Sequence, residues 1–116
     1  HTIGHALEAA TVYGRYLHGE AVSIGMMGAA FLSWRLGMID WALVTRQKNL
    51  LRSFNLPVGA SNVDIDRLFE AMKMDKKAEG GSIRWVLLQG IGQPVVRRDV
   101  PVKLVRDVVG QLLEEE

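Results

Sequence analysis

No cysteine occurs among the 116 residues. That absence excludes a disulfide scaffold, a thiol nucleophile and any thiolate-ligated metal, and it is compatible with a cytoplasmic location. Neither sign of charge dominates, with 14 Lys and Arg against 13 Asp and Glu and a net charge of +1. The balance gives no electrostatic case for nucleic acid or an anionic membrane as partner. No apolar run is long enough to cross a bilayer. The richest, Ala21 to Trp34, is about 14 residues against the ~20 required. Ser23 and Ser33 interrupt it, and Gly25 and Gly28 would let a neighbouring helix approach, so a buried core helix is expected. The chain opens at His1 without Met, inside what looks like a motif, and no signal or transit segment is expected before it. We expect a fragment whose upstream part is missing.

What is present suits one domain with a real core: 48% of the residues are hydrophobic. The pattern is mostly helical. Ile3, Leu7 and Ala10 share helical spacing from Thr2 to about Thr11, with Gly14 as a stop. Gly19 and Glu20 open the apolar helix, which runs to about Gly37. Asp40 suits the N-cap of a third helix reaching Phe54, with Trp41, Val44, Leu50 and Leu51 expected to face inward. Pro57 and Gly59 break the chain before Asn62 or Asp64 caps a fourth helix bearing Ile65, Leu68, Phe69 and Met72, ending near Met74. Asp75-Lys76-Lys77-Ala78-Glu79-Gly80-Gly81 reads as a loop. Trp85 to Leu88 and Val95-Val96 form a small hairpin turned by Gly90 and Gly92. Pro101 begins a last helix with Val102, Val105, Val109 and Leu112 on one face. No repeat or linker is visible, and Glu114 to Glu116 is the sole biased stretch. The expected fold class is mostly α, a helical bundle with one small β-hairpin.

All three histidines, His1, His5 and His18, fall within the first 18 residues. Imidazole is a good ligand for zinc and similar cations, so the cluster suggests a metal. His1 and His5 are four apart and share one helical face. The intervening Thr2-Ile3-Gly4 lacks the glutamate that zinc proteases place there as general base. Spacing of this kind also fits ordinary surface or capping histidines. Asp75-Lys76-Lys77 before Gly80-Gly81 could hold a phosphate or carboxylate, or be a solvated loop. Arg15, Arg84, Arg97 and Arg98 are scattered and read as surface residues. Gly25 and Gly28 beside Met26 and Met27 read as close helix packing, since no strand precedes them as a phosphate loop requires.

At His1-Thr2-Ile3-Gly4-His5-Ala6-Leu7-Glu8, followed by Leu17-His18-Gly19-Glu20 and on to Met26, the sequence resembles the signature of 3-dehydroquinate synthase. The resemblance continues in order through Asp75-Lys76-Lys77, Val86-Leu87-Leu88 and Ile91-Gly92 to the helix after Pro101. It implies a two-domain enzyme with an upstream NAD-binding α/β domain, and residues 1–116 as its C-terminal helical metal and substrate domain. It implies His1 and His18 as metal ligands for zinc or cobalt, with His5 contacting substrate and moving protons. One of Lys76 and Lys77 would meet the substrate's anionic group. The third metal ligand, a glutamate, and every NAD contact would lie upstream.

The implied reaction converts 3-deoxy-D-arabino-heptulosonate 7-phosphate to 3-dehydroquinate and phosphate in the shikimate pathway, in a cytoplasmic homodimer. Oxidation of a substrate hydroxyl with NAD acidifies the neighbouring carbon for phosphate elimination, a vicinal-diol metal chelate positions the substrate, and a histidine suits the proton steps. The alternatives are a sister sugar-phosphate cyclase, such as 2-deoxy-scyllo-inosose synthase, and an inert helical fragment. Taken alone, the chain is expected to fold at least partly, to bind zinc weakly, to catalyse nothing, and to self-associate through a face including Gly25, Met26 and Phe31.

Overall fold

The computed structural model describes residues 1–11, 15–78 and 80–114. Five helices and one hairpin follow in the order α1 (Thr2–Ala10), α2 (His18–Arg35), α3 (Trp41–Ser53), α4 (Ile65–Ala78), β1 (Trp85–Gly90), β2 (Gln93–Arg97) and α5 (Val102–Glu114). This is the helical bundle with a small hairpin that the pattern of apolar residues suggests. The expected stop at Gly14 lies outside the described residues. No described helix is long and apolar enough to cross a membrane.

α2 is the hub. It packs against α1, α3, α5 and β1, while α4 lies on α1. A helix covered on most sides must be apolar nearly all round, which explains its run of small and hydrophobic residues. Ile24, Met27, Ala30, Phe31 and Leu32 are all buried there. The two serines that break the run are buried as well, and each has a partner. Ser23 Oγ donates to the Pro57 carbonyl at 2.7 Å. Ser33 Oγ donates to the Ala29 carbonyl at 2.7 Å and accepts from the Leu88 amide at 3.0 Å, tying α2 to β1.

Glycine sets the α1–α2 distance. A Cβ on Gly25 would stand 3.0 Å from the Gly4 nitrogen, and one on Gly4 would stand 2.7 Å from the Ala21 carbonyl oxygen. Backbone therefore lies against backbone, and no side chain can swing aside. Gly28 instead faces the Ile3 and Leu112 side-chain tips.

Local signals place most boundaries. Asp40 accepts from the Leu43 amide at 3.1 Å, and Asp64 accepts from the Asp66 amide at 2.9 Å, so both cap as expected. Glu20 caps α2 by accepting from the Leu17 amide at 2.8 Å, and α2 begins at His18. The end of α4 differs from expectation. It runs past Met74 to Ala78, so Asp75, Lys76 and Lys77 are helical. The true stop is Gly80-Gly81, where φ is +79° and +99°, and the Gly81 amide bonds back to the Lys76 carbonyl at 2.8 Å.

The inward faces also need correction. Val44 and Leu51 of α3 are buried, but Trp41 and Leu50 are exposed. Trp41 keeps an edge contact with Trp34, ring centroids 4.6 Å apart. In α5, Val105, Val109 and Leu112 are buried, whereas Val102 is exposed because it sits in the first turn, beyond the edge of the core. Gly25 and Phe31 are buried inside this chain, so of the face expected to drive self-association only Met26 is exposed.

The hairpin is antiparallel, pairing Trp85 with Arg97 and Leu87 with Val95, and both strands run beyond the expected Trp85 to Leu88 and Val95-Val96. Trp85 and Leu87 point into the core, with Val86 outward between them.

Candidate active site

α1 carries the site. His1, His5 and Glu8 recur at helical spacing along one face, so close seating on α2 through Gly4 presents them together as a polar stripe. The rings of His1 and His5 stack, with centroids 5.6 Å apart and planes within 6°. From α4, Asp75 reaches His5, its carboxylate oxygens 3.3 and 3.4 Å from Nδ1. At the other end of the stripe, His18 Nδ1 stands 3.3 Å from both Glu8 oxygens.

These two pairs have a chemical consequence. An ionised carboxylate only accepts, so each imidazole carries its proton on Nδ1 and directs the Nε2 lone pair away from its partner. Metal-binding histidines are commonly oriented in this way, and so are general bases. His5 and His18 remain well exposed, at 56% and 74%, while Asp75 and Glu8 behind them are largely covered.

A cleft of about 210 Å³ opens beside the stripe. His1, Thr2, His5, Asp75 and Arg84 form its polar lining, and Ile3, Ala29 and Gly25 contribute apolar surface. The backbone nitrogen of His1 lies 3.8 Å from where a Gly25 Cβ would stand. A second groove, of about 380 Å³, adjoins the first across Ile83 and Trp85. Its floor includes Phe69, Met72 and Val105, and Lys73, Lys76 and Arg98 line it.

The expected site residues thus fall into groups. His1 and His5 share the cleft, and Lys76 lines the adjoining groove, while Lys77 lines neither. His18 opens α2 seven residues before Gly25, ~10 Å of helix away from the point His1 overlies. Among the described residues, no three His, Asp or Glu side chains converge as a complete metal site. The donors nonetheless fit a zinc- or cobalt-type ion in kind, being exposed imidazoles, with His18 oriented by a carboxylate.

Three residues escaped the sequence reading. Glu8 was legible, since it continues the helical spacing of His1 and His5. Asp75 was hidden in a motif noticed for its lysines. Arg84 is exposed, as its reading as a surface residue expects, but nothing in the sequence signalled that it lines the cleft.

Comparison with known proteins agrees with this architecture. The family model of the 3-dehydroquinate synthase C-terminal region matches residues 1–78. The chain belongs to the 3-dehydroquinate synthase C-terminal family. The 3-dehydroquinate synthase of Acidithiobacillus ferrooxidans is 45% identical over 114 residues, covering 98% of this chain and 31% of the relative. That of Nitrosospira multiformis is 45% identical over 109 residues, covering 94% and 30%. This 3-dehydroquinate synthase-family chain therefore spans about a third of the length of the curated relatives it matches.

Two solved structures share the fold of the family. A 2-epi-5-epi-valiolone synthase from Streptomyces hygroscopicus subsp. jinggangensis 5008, with NAD+ and Zn2+ bound, superposes with a TM-score of 0.83 at 28% identity, covering 98% of this chain and 32% of that one. A 2-deoxy-scyllo-inosose synthase complexed with carbaglucose-6-phosphate, NAD+ and Co2+ gives 0.78 at 28% identity, covering 97% and 34%.

Proposed function

We propose that residues 1–116 are the helical metal- and substrate-facing domain of a 3-dehydroquinate synthase. The whole enzyme would convert 3-deoxy-D-arabino-heptulosonate 7-phosphate to 3-dehydroquinate and phosphate, as a cytoplasmic homodimer in the shikimate pathway. The observation that carries this reading is the stacked pair His1 and His5 on α1 with carboxylates behind His5 and His18, in a chain 45% identical to 3-dehydroquinate synthases.

In this reading His1 and His18 hold a divalent zinc or cobalt ion, with a further ligand from outside the chain. Glu8 keeps the His18 proton on Nδ1, leaving Nε2 as the donor. When bound, the metal would polarise a substrate hydroxyl, and NAD, held by residues outside the chain, would take up a hydride and return it.

His5 lines the cleft and would accept a substrate proton at Nε2 and pass it on, while Asp75 holds the ring through its Nδ1 side. Ile3, Ala29 and the buried face of Trp85 limit water at the cleft. Lys76 and Lys77 lie on the turn of α4 that carries Asp75, and one of them meets an anionic group of the substrate.

A sister cyclase is the second reading, favoured by the two structural neighbours, both of which are such enzymes. One experiment separates the readings. This chain is placed in the Acidithiobacillus ferrooxidans enzyme in place of the matching 31%, and phosphate release is measured with heptulosonate phosphate and with glucose 6-phosphate. Turnover of the heptulosonate alone is expected. A folded, NAD-binding chimera that releases no phosphate from it would overturn the proposal.

A further inference from the structure

Arg84 stands between the glycine pair that ends α4 and the buried Trp85 of β1. Its carbonyl accepts from Thr2 Oγ1 at 3.3 Å, which ties this stretch to the first turn of α1 beside His1. It lines the cleft together with His1, His5 and Asp75. Other arginines are committed elsewhere: Arg97 pairs with Asp99, Arg35 with Asp107, and Arg98 donates to Ser82. Among the described residues, no carboxylate pairs with Arg84. The carboxylate that lines the same cleft, Asp75, is engaged by His5. Arg84 thus lines the cleft with no ion-pair partner among the described residues, while Lys76 lines the adjoining groove.

We infer that Arg84 is a further binding residue of the histidine cleft and holds an acidic group of the ligand, a phosphate or a carboxylate. The inference rests on the cleft being the substrate site. Guanidinium is a planar fork of five donors that grips two oxygens of either group at once, whereas an ammonium acts as a point charge. A cleft of about 210 Å³ is large enough to admit such a group. The Thr2 bond holds the Arg84 backbone one residue from His1, so the anion and the imidazoles are presented on the same side of the molecule.

The test uses the isotope-labelled chain, titrated separately with inorganic phosphate and with acetate. Nuclear magnetic resonance reads the Arg84 Nε–H and the His5 ring. Saturable shifts at both positions are expected with at least one anion, and the anion that produces them identifies the group. Arg84→Gln should weaken that binding at least tenfold. Arg84→Lys, which keeps the charge and loses the fork, should weaken it several-fold and serves if the glutamine variant fails to fold. Arg35→Gln, which removes an equal charge outside both grooves, should leave the binding unchanged. Absence of shifts with both anions, or wild-type binding by the folded Arg84→Gln chain, overturns the inference. Because no turnover is read, failure of the proposed reaction leaves this result standing, and failure here leaves the reaction to its own assay.

Discussion

His5 and Asp75, seventy positions apart in the chain, meet through Nδ1 and Oδ2 at 3.4 Å. This contact joins the first helix to the last turn of α4 and turns a motif noticed for its lysines into part of the histidine site. It exists because α1 is pressed between α2 and α4, with Gly4 and Gly25 removing the side chains that would hold it off.

That seating is directly testable. Gly25→Ala would place a methyl 3.0 Å from the Gly4 nitrogen, which is backbone and cannot turn away. A loss of about 1–3 kcal/mol is expected in urea unfolding, as for other overpacked sites. Gly110→Ala is the opposite case. Nothing lies within 4 Å of its added Cβ inside α5, and a gain of up to about 1 kcal/mol is expected from helix propensity. Equal effects from the two substitutions would show that close backbone contact does not set the α1–α2 distance.

Ser33 is buried at 0% exposure, yet it bonds to both Ala29 and Leu88. Ser33→Ala should strand the Leu88 amide and cost about 1–3 kcal/mol. Amide exchange at Leu88 should quicken more than exchange along α2. Unchanged protection at Leu88 would mean that water or relaxation replaces the hydroxyl.

Metal retention separates the three histidines. In the enzyme carrying this chain, His1→Ala and His18→Ala should each lose bound metal on dialysis, while His5→Ala keeps most of it and turns over more slowly. Glu8→Gln should weaken metal binding about 10- to 100-fold by releasing the His18 ring. A His5→Ala protein stripped of metal would show instead that the stacked pair His1 and His5 forms the chelate.

One ion pair predicts a pH response. Hydrogen bonds from the Arg97 side chain hold the Asp99 carboxyl below its ordinary 3.8. A carboxyl whose folded pKa is depressed contributes stability that is complete above the unfolded value and is lost as pH falls through the folded one. The contribution of Asp99 should therefore persist at neutral pH and fade only below about pH 3.8. Carbon resonances of Asp99 should report this, and Arg97→Gln should return its titration toward 3.8. The pair is exposed, so the effect on global stability should be small.

Much of the secondary structure was legible because its signals are local. Asp40 and Asp64 cap the helices they precede, and alternation across Trp85, Val86 and Leu87 announces a strand. The end of α4 was misplaced because Asp75, Lys76 and Lys77 look like a polar loop, although lysine is a good helix former and the glycines at 80 and 81 supply the real stop. Trp41 and Leu50 were assigned inward on apolarity alone. Which apolar residues of a short helix are covered depends on neighbours that local spacing does not reveal.

The sequence by itself determined the helical class, most caps and the histidine pattern by which the family is recognised, since each rests on residues a few positions apart. Only the tertiary structure decided which carboxylate stands behind which imidazole, that Lys76 lines a different groove from His5, and that Arg84 joins the histidine cleft. Those pairings depend on how α1, α4 and β1 settle around α2, and so on packing between segments up to 82 positions apart, which no local periodicity encodes.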